Sequence, residues 1–277
     1  MTATLLAQPR PTQEAEPRRD VPRLTFGRVL DAEWTKIRTV RSTTWTLAAL
    51  VVTSIGLTAL MAFAAAGDLA SGNADDPIGA FVMIGLMFGQ IAALVLGVLV
   101  ASAEYSSGMI RTTLAAVPRR GTVLAGKAIV LGSVLLVLGL VTSFGSYLAG
   151  NFFLSQEGIG LSLGDPGVLR AIVGGGLYLA VLGIFGLGLG VLMRHTAGAV
   201  TAGIALIFVV GSLVGLVPGA LGEWLNKLMP GNAGGAIATV ESFDPNVLDP
   251  WVGFAVFCAE TGLLLAVAGL IFRRRDA

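Results

Sequence analysis

The chain has 277 residues, 55% of them hydrophobic and 13% charged, with 38 glycines and a formal net charge of +1. Long charge-free apolar runs with frequent glycine exclude a soluble domain with a large core and point to a polytopic membrane protein. One cysteine, Cys258, excludes an internal disulfide, and one histidine, His195, excludes a multi-histidine metal centre.

Residues 1–22 are rich in proline and charge and carry no apolar periodicity, which predicts a disordered cytosolic tail. No apolar core follows the early arginines, so a signal peptide is not expected. Over 23–44 the pattern changes. Phe26, Leu30, Trp34 and Ile37 recur at helical spacing, and Arg28, Lys36, Arg38 and Arg41 populate the rest of the circumference. A basic amphipathic helix placed just before an apolar run is expected to lie along the membrane interface. It can serve as a lipid anchor alone or also touch a partner subunit.

Six apolar segments follow, at 45–66, 78–102, 128–154, 171–193, 197–217 and 251–272. Each has about the 20 residues that a helix needs to cross a bilayer. With both termini inside, 16 of the 18 basic residues fall on the inner side, and only Arg170 and Lys227 fall outside. This asymmetry predicts six spans with both termini cytoplasmic. The central loop, 103–127, then lies in the cytoplasm with Arg111, Arg119, Arg120 and Lys127 against Glu104 as its sole acid. Its length of about 25 residues is enough for a short helix that docks on another protein. The longest outer region is 218–250. There Leu221, Trp224, Leu225 and Leu228 predict a short interfacial helix, and 229–237 reads as a re-entrant element or a surface loop. Residues 273–277 form a basic tail.

Several motifs fail on their context. Residues 121–127 read GTVLAGK, yet Ala128 stands where a phosphate-binding loop needs a hydroxyl for magnesium, and the flanks are a basic loop and a membrane span. The glycine run at 183–190 lies inside an apolar span, where the spacing of Gly186 and Gly190, like that of Gly211 and Gly215, suits close helix packing. Glu260 is the one ionisable residue well inside a span, so a substrate path or an interhelical hydrogen bond is expected there, with Gln90 and Thr261 as candidate partners. Glu104 can pair with Arg111 or Lys127 or stand as a boundary charge. His195 reads as a turn residue and Cys258 as a small apolar filler. No catalytic constellation is found, so the chain is not read as an enzyme, and nothing calls for a metal or a nucleic-acid partner.

Four stretches carry a resemblance: AEWTKIRTVRSTTW (32–45), EYSSGMIRTTLAAVPRRGTVLAGK (104–127), LMPGNAGGAI (228–237) and the terminal FRRRDA (272–277). Together they make the chain from Ala32 onward resemble the permease subunits of type-2 ABC exporters, of the compact kind common in high-GC bacteria. The resemblance implies an all-α fold of six transmembrane helices in the bacterial inner membrane. It also implies a second permease copy, identical or related, and two copies of a separate ATP-binding subunit that holds the ATP and magnesium. By the same resemblance 23–44 is the connecting helix, with Trp34, Lys36, Arg38 and Arg41, and about 106–117 is the coupling helix. Glu104, Gly108, Arg111, Thr112, Pro118, Arg119 and Arg120 are then expected at or near the ATPase contact, and Gln90 and Glu260 on a possible translocation path. Neither 1–44 nor any loop has the 100 or more residues of an ATP-binding domain, which agrees with hydrolysis on another chain. The competing readings are a secondary active transporter using Glu260 and a membrane scaffold or sensor subunit; the two halves, 45–154 and 171–272, show no clear repeat.

Overall fold

The computed structural model describes residues 25–73, 76–117, 119–244 and 247–274. The expected tail 1–22, Pro118 and the last residues 275–277 lie outside the described residues. The described residues form helices and no strands. Helix α1 (Phe26–Thr39) is followed by α2 (Arg41–Ser71), the short α3 (Ile78–Phe81), α4 (Leu86–Ser106), the short α5 (Met109–Ala116) and α6 (Arg120–Gln156). Then come α7 (Val168–Met193), α8 (Thr196–Ile204), a π-helical turn at Ala205–Val209 and α9 (Val210–Val214). Helices α10 (Ala220–Lys227) and α11 (Pro230–Gly235), a 3₁₀ turn at Ala236–Ala238 and α12 (Pro250–Arg274) complete the chain. Six rods are long and apolar enough to cross a membrane: α2, α4, α6, α7, α8 through α9, and α12.

Helix α7 is the axis of the bundle and is buried along most of its length, with α4, α6 and α12 packed around it. Backbones can approach this closely only where side chains are absent. A Cβ on Gly97 of α4 would fall onto the carbonyl oxygen of Gly183 in α7, and one on Gly186 onto that of Leu94. Gly190 lies against Val98 in the same way, so the 186/190 pair is a packing surface. Leu94, Leu131, Leu135, Leu179, Leu182 and Phe257 fill the space around it and are fully buried.

Three local features depart from the pattern of hydropathy. The second span does not begin as one helix at 78, because α3 and α4 are separated by turns at 82–85. There the Gly85 N–H takes the Thr58 hydroxyl of α2 as its acceptor, at 2.9 Å. The fifth span is widened by the π-turn, a local feature with no hydropathy signature. Helix α10 leaves Leu221, Trp224, Leu225 and Leu228 exposed, whereas α11 and the 3₁₀ turn after it are tucked into the bundle. Gly234 fits beneath Phe257 and Tyr178, and Ala233 and Ile237 are fully buried, so this stretch is not a surface loop. His195 has a structural task as the N-cap of α8, where its Nδ1 accepts the Gly198 N–H at 3.0 Å.

Candidate functional site

Helix α1 joins α2 through one extended residue, Val40, so the chain bends sharply between them. The face that α1 turns inward carries Val29, Glu33 and Ile37, four residues apart. Of the apolar face read from the sequence, only Ile37 belongs to it. Phe26 and Trp34 stay exposed, and Arg38 lies over the Trp34 ring at 5.8 Å. Arg41 is exposed at the first turn of α2.

Turning that face inward buries a carboxylate, and three other charges meet it. Lys127 of α6 donates to Glu33 Oε2 at 2.9 Å and to Glu104 Oε1 of α4 at 2.6 Å. Lys36 donates to Glu33 Oε1 and to Glu104 Oε1, both at 2.7 Å. Two acids and two bases thus close a neutral ring that ties α1, α4 and α6 together. Lys127 also reaches the Val100 carbonyl at 3.3 Å. A ring of this kind is held by mutual pairing, since each charge alone would be strongly unfavourable when buried. Burial by itself would lower the Lys36 pKa, but the hydrogen bonds to Glu104 and Glu33 outweigh it, and the ammonium is raised above its ordinary 10.5. A raised lysine stabilises the fold fully below 10.5, and that part is lost only as pH climbs through the raised value.

Helix α5 sits over this junction. Gly108, left-handed with φ 72°, makes the turn out of α4, where an L side chain would be strained. Ile110 enters the main core, and Leu114 packs on a small cluster of Val29, Val117 and Val123. The opposite face is bare: Met109, Arg111, Thr112 and Ala115 are exposed. The Thr112 hydroxyl only returns to the Met109 carbonyl at 2.8 Å.

The expected site residues therefore part company. Gly108, Arg111 and Thr112 share one exposed patch. Glu104 is only 2% exposed and is withdrawn into the ring, with its Oε2 buried and without a hydrogen-bond partner. Arg120 donates to the Phe272 carbonyl at 2.7 Å and lies over the Phe272 ring, so it grips the end of α12, while Arg119 next to it is exposed. Of the two partners expected for Glu104, the structure takes Lys127 and leaves Arg111 exposed; Glu33 was missed. The available signal was an acid and a base three residues apart, Glu33 and Lys36, on a stripe shared with Val29 and Ile37.

Gln90 and Glu260 do not form a pair. Gln90 donates to the Met87 carbonyl and accepts from the Tyr178 hydroxyl of α7, whereas one Glu260 oxygen and the Thr261 hydroxyl are buried with no hydrogen-bond partner. Gln90 and Tyr178 line a cavity of about 340 Å³, with Asn232, Phe208 and Glu241 around it. Tyr178→Phe leaves the Gln90 oxygen without its donor. It is expected to lower stability by about 0.6–2 kcal/mol, read as a drop in the melting temperature of the detergent-purified chain. Among the described residues no group of three or more His, Cys, Asp or Glu side chains is placed to hold a metal ion.

A family model described as "ABC-2 family transporter protein" matches residues 28–277, nearly the whole chain. No curated protein matches it.

Proposed function

The chain belongs to the ABC-2 transporter family and is a multi-pass membrane permease, and on that premise we propose that a separate ATP-binding subunit drives it through the bare face of α5. One observation carries this reading. Helix α5 presents Met109, Arg111 and Thr112 outward, while its inner face is rooted in α1 and α6 through Leu114, Val29, Val117 and Val123. A force on that face reaches three helices at once, α4 through the Gly108 turn and α1 and α6 through the apolar cluster. The charge ring beneath holds the same three helices together, so they move as one body.

In this reading ATP and magnesium stay on two copies of the partner subunit, and this chain pairs with a second permease copy. The excess of arginine and lysine at the α5 end supports a cytoplasmic side for that end, and the bacterial inner membrane follows the resemblance. Export, rather than import, follows the resemblance to type-2 exporters.

The test is a double change on the bare face, Met109→Glu with Arg111→Glu. Neither side chain takes part in the core, so the melting temperature should stay within about 1 °C of the parent, as for most surface substitutions. Co-purification of the ATP-binding subunit from native membranes should fall tenfold or more, the scale on which central contacts of an interface act. Undiminished co-purification, or ATP-driven transport at the parental rate, would show that the ATPase engages another surface.

A further inference from the structure

A cavity of about 690 Å³ opens where the start of α6 meets the end of α12. Arg119, Arg120 and Arg273 line it together with Thr122, and among the described residues no carboxylate does. Arg120 is held in place by the Phe272 carbonyl and ring. The Arg119 and Arg273 side chains form no hydrogen bond or ion pair among the described residues. Position 121 is glycine where a Cβ would lie 2.9 Å from the Arg273 guanidinium, so its absence lets the α12 arginine reach over the first turn of α6. The guanidiniums of Arg119 and Arg273, brought to one cavity, repel one another, and an anion between them relieves that repulsion. The forked geometry of guanidinium suits the oxygens of a phosphate.

The cavity does not stand alone. Phe26 of α1 and Ala125 of α6 close its inner side. Along the same two stripes, Leu30 and Trp34 on α1 and Ile129 and Val137 on α6 line a groove of about 550 Å³ that is apolar apart from Asp31 and Ser133. Phe26, Leu30 and Trp34 are four residues apart, and Thr122, Ala125 and Ile129 follow the same helical step, so head cavity and groove are consecutive on one seam. A basic cavity, roomy enough for a lipid headgroup, that leads into a largely apolar groove has the polarity of one amphiphile. We propose that this seam is a binding site for an anionic glycerophospholipid, its phosphate between Arg119, Arg120 and Arg273 and an acyl chain laid along α6 past Trp34.

The experiment is thermal melting of the full chain in a non-ionic detergent. Phosphatidylglycerol, phosphatidylcholine and inorganic phosphate are added in separate arms. Phosphatidylglycerol should raise the midpoint by about 4 °C, as a ligand well above its dissociation constant does. Phosphatidylcholine, whose ammonium meets the arginines, should give less than a quarter of that shift. Arg119→Gln with Arg273→Gln should remove the shift and leave the lipid-free midpoint unchanged. Val137→Trp, which fills the groove without touching the arginines, should also remove it. Equal shifts with phosphatidylcholine, or with inorganic phosphate, would overturn the lipid assignment. So would a full phosphatidylglycerol shift in the double arginine variant accompanied by loss of the ATP-binding subunit, which would assign the arginines to a protein partner.

Discussion

Lys127→Met is expected to be among the most damaging single substitutions in this chain. The methionine fills the same volume but leaves Glu33 and Glu104 sharing Lys36 alone. Both carboxylates are nearly inaccessible, at 4% and 2% exposure. Removing one partner from a buried ion pair typically costs about 3–5 kcal/mol, because the remaining charge is left uncompensated. For a chain of this size that corresponds to a fall in melting midpoint of roughly 6–15 °C, or to loss of monodisperse protein altogether. The argument is electrostatic, so it predicts a rescue. Glu104→Gln added to Lys127→Met restores neutrality and leaves Glu33 paired with Lys36, and it should recover more than half of the lost midpoint. If the double variant melts no higher than the single one, the lysine acts by packing or by its bond to the Val100 carbonyl. Lys36→Met should be milder, since the Lys36 side chain is 28% exposed and water screens what it leaves behind.

The second large effect is steric. Gly97→Leu drives a side chain into the Gly183 carbonyl at the closest contact between α4 and α7. Overpacking of a well-filled core costs about 1–3 kcal/mol and more where backbone must move, and here both walls are helix backbone. We expect a variant that inserts but runs as aggregate on size exclusion. Gly262 of α12 is the control, since nothing lies within 4 Å of a Cβ placed there. Gly262→Ala should be neutral or raise stability by up to about 1 kcal/mol, the helix preference of alanine over glycine. Equal behaviour of the two variants would mean that α4 and α7 are not packed as described.

The six spans were legible because hydropathy is a sum over twenty residues and tolerates local error. Helix ends were less so. The first and third spans run on as helix to Arg41 and Ser71 and to Arg120 and Gln156, through charged and polar residues that a hydropathy window rejects. Nothing in the backbone required the helix to stop where the apolar run did. The inner face of α1 was hidden for a related reason. Apolar periodicity singled out Phe26, Leu30, Trp34 and Ile37; only Ile37 is buried, Phe26 and Trp34 are exposed, and the helix docks through a stripe whose central residue is Glu33. A buried acid looks like a surface acid until its partners are known, and of the two lysines that hold Glu33 one lies 94 positions away. Lys127 was legible as a partner for Glu104, but its second bond, to Glu33, was not.

One consequence of the length of α6 concerns mechanics. It runs unbroken for 37 residues, which at 1.5 Å per residue makes a beam of about 55 Å, against about 30 Å of hydrocarbon. Its two ends are fastened to different parts. Near one end Arg120 grips α12 and Lys127 sits in the charge ring. Near the other, the Tyr147 hydroxyl donates to the Leu161 carbonyl at 2.9 Å, and Asn151 accepts the Leu161 N–H at 2.7 Å. A stiff beam pivoting at its middle by 5° carries each tip about 2 Å, in opposite directions. No chain of intermediate contacts is needed to relay such a displacement across the bilayer, because the two tips are parts of one rigid object.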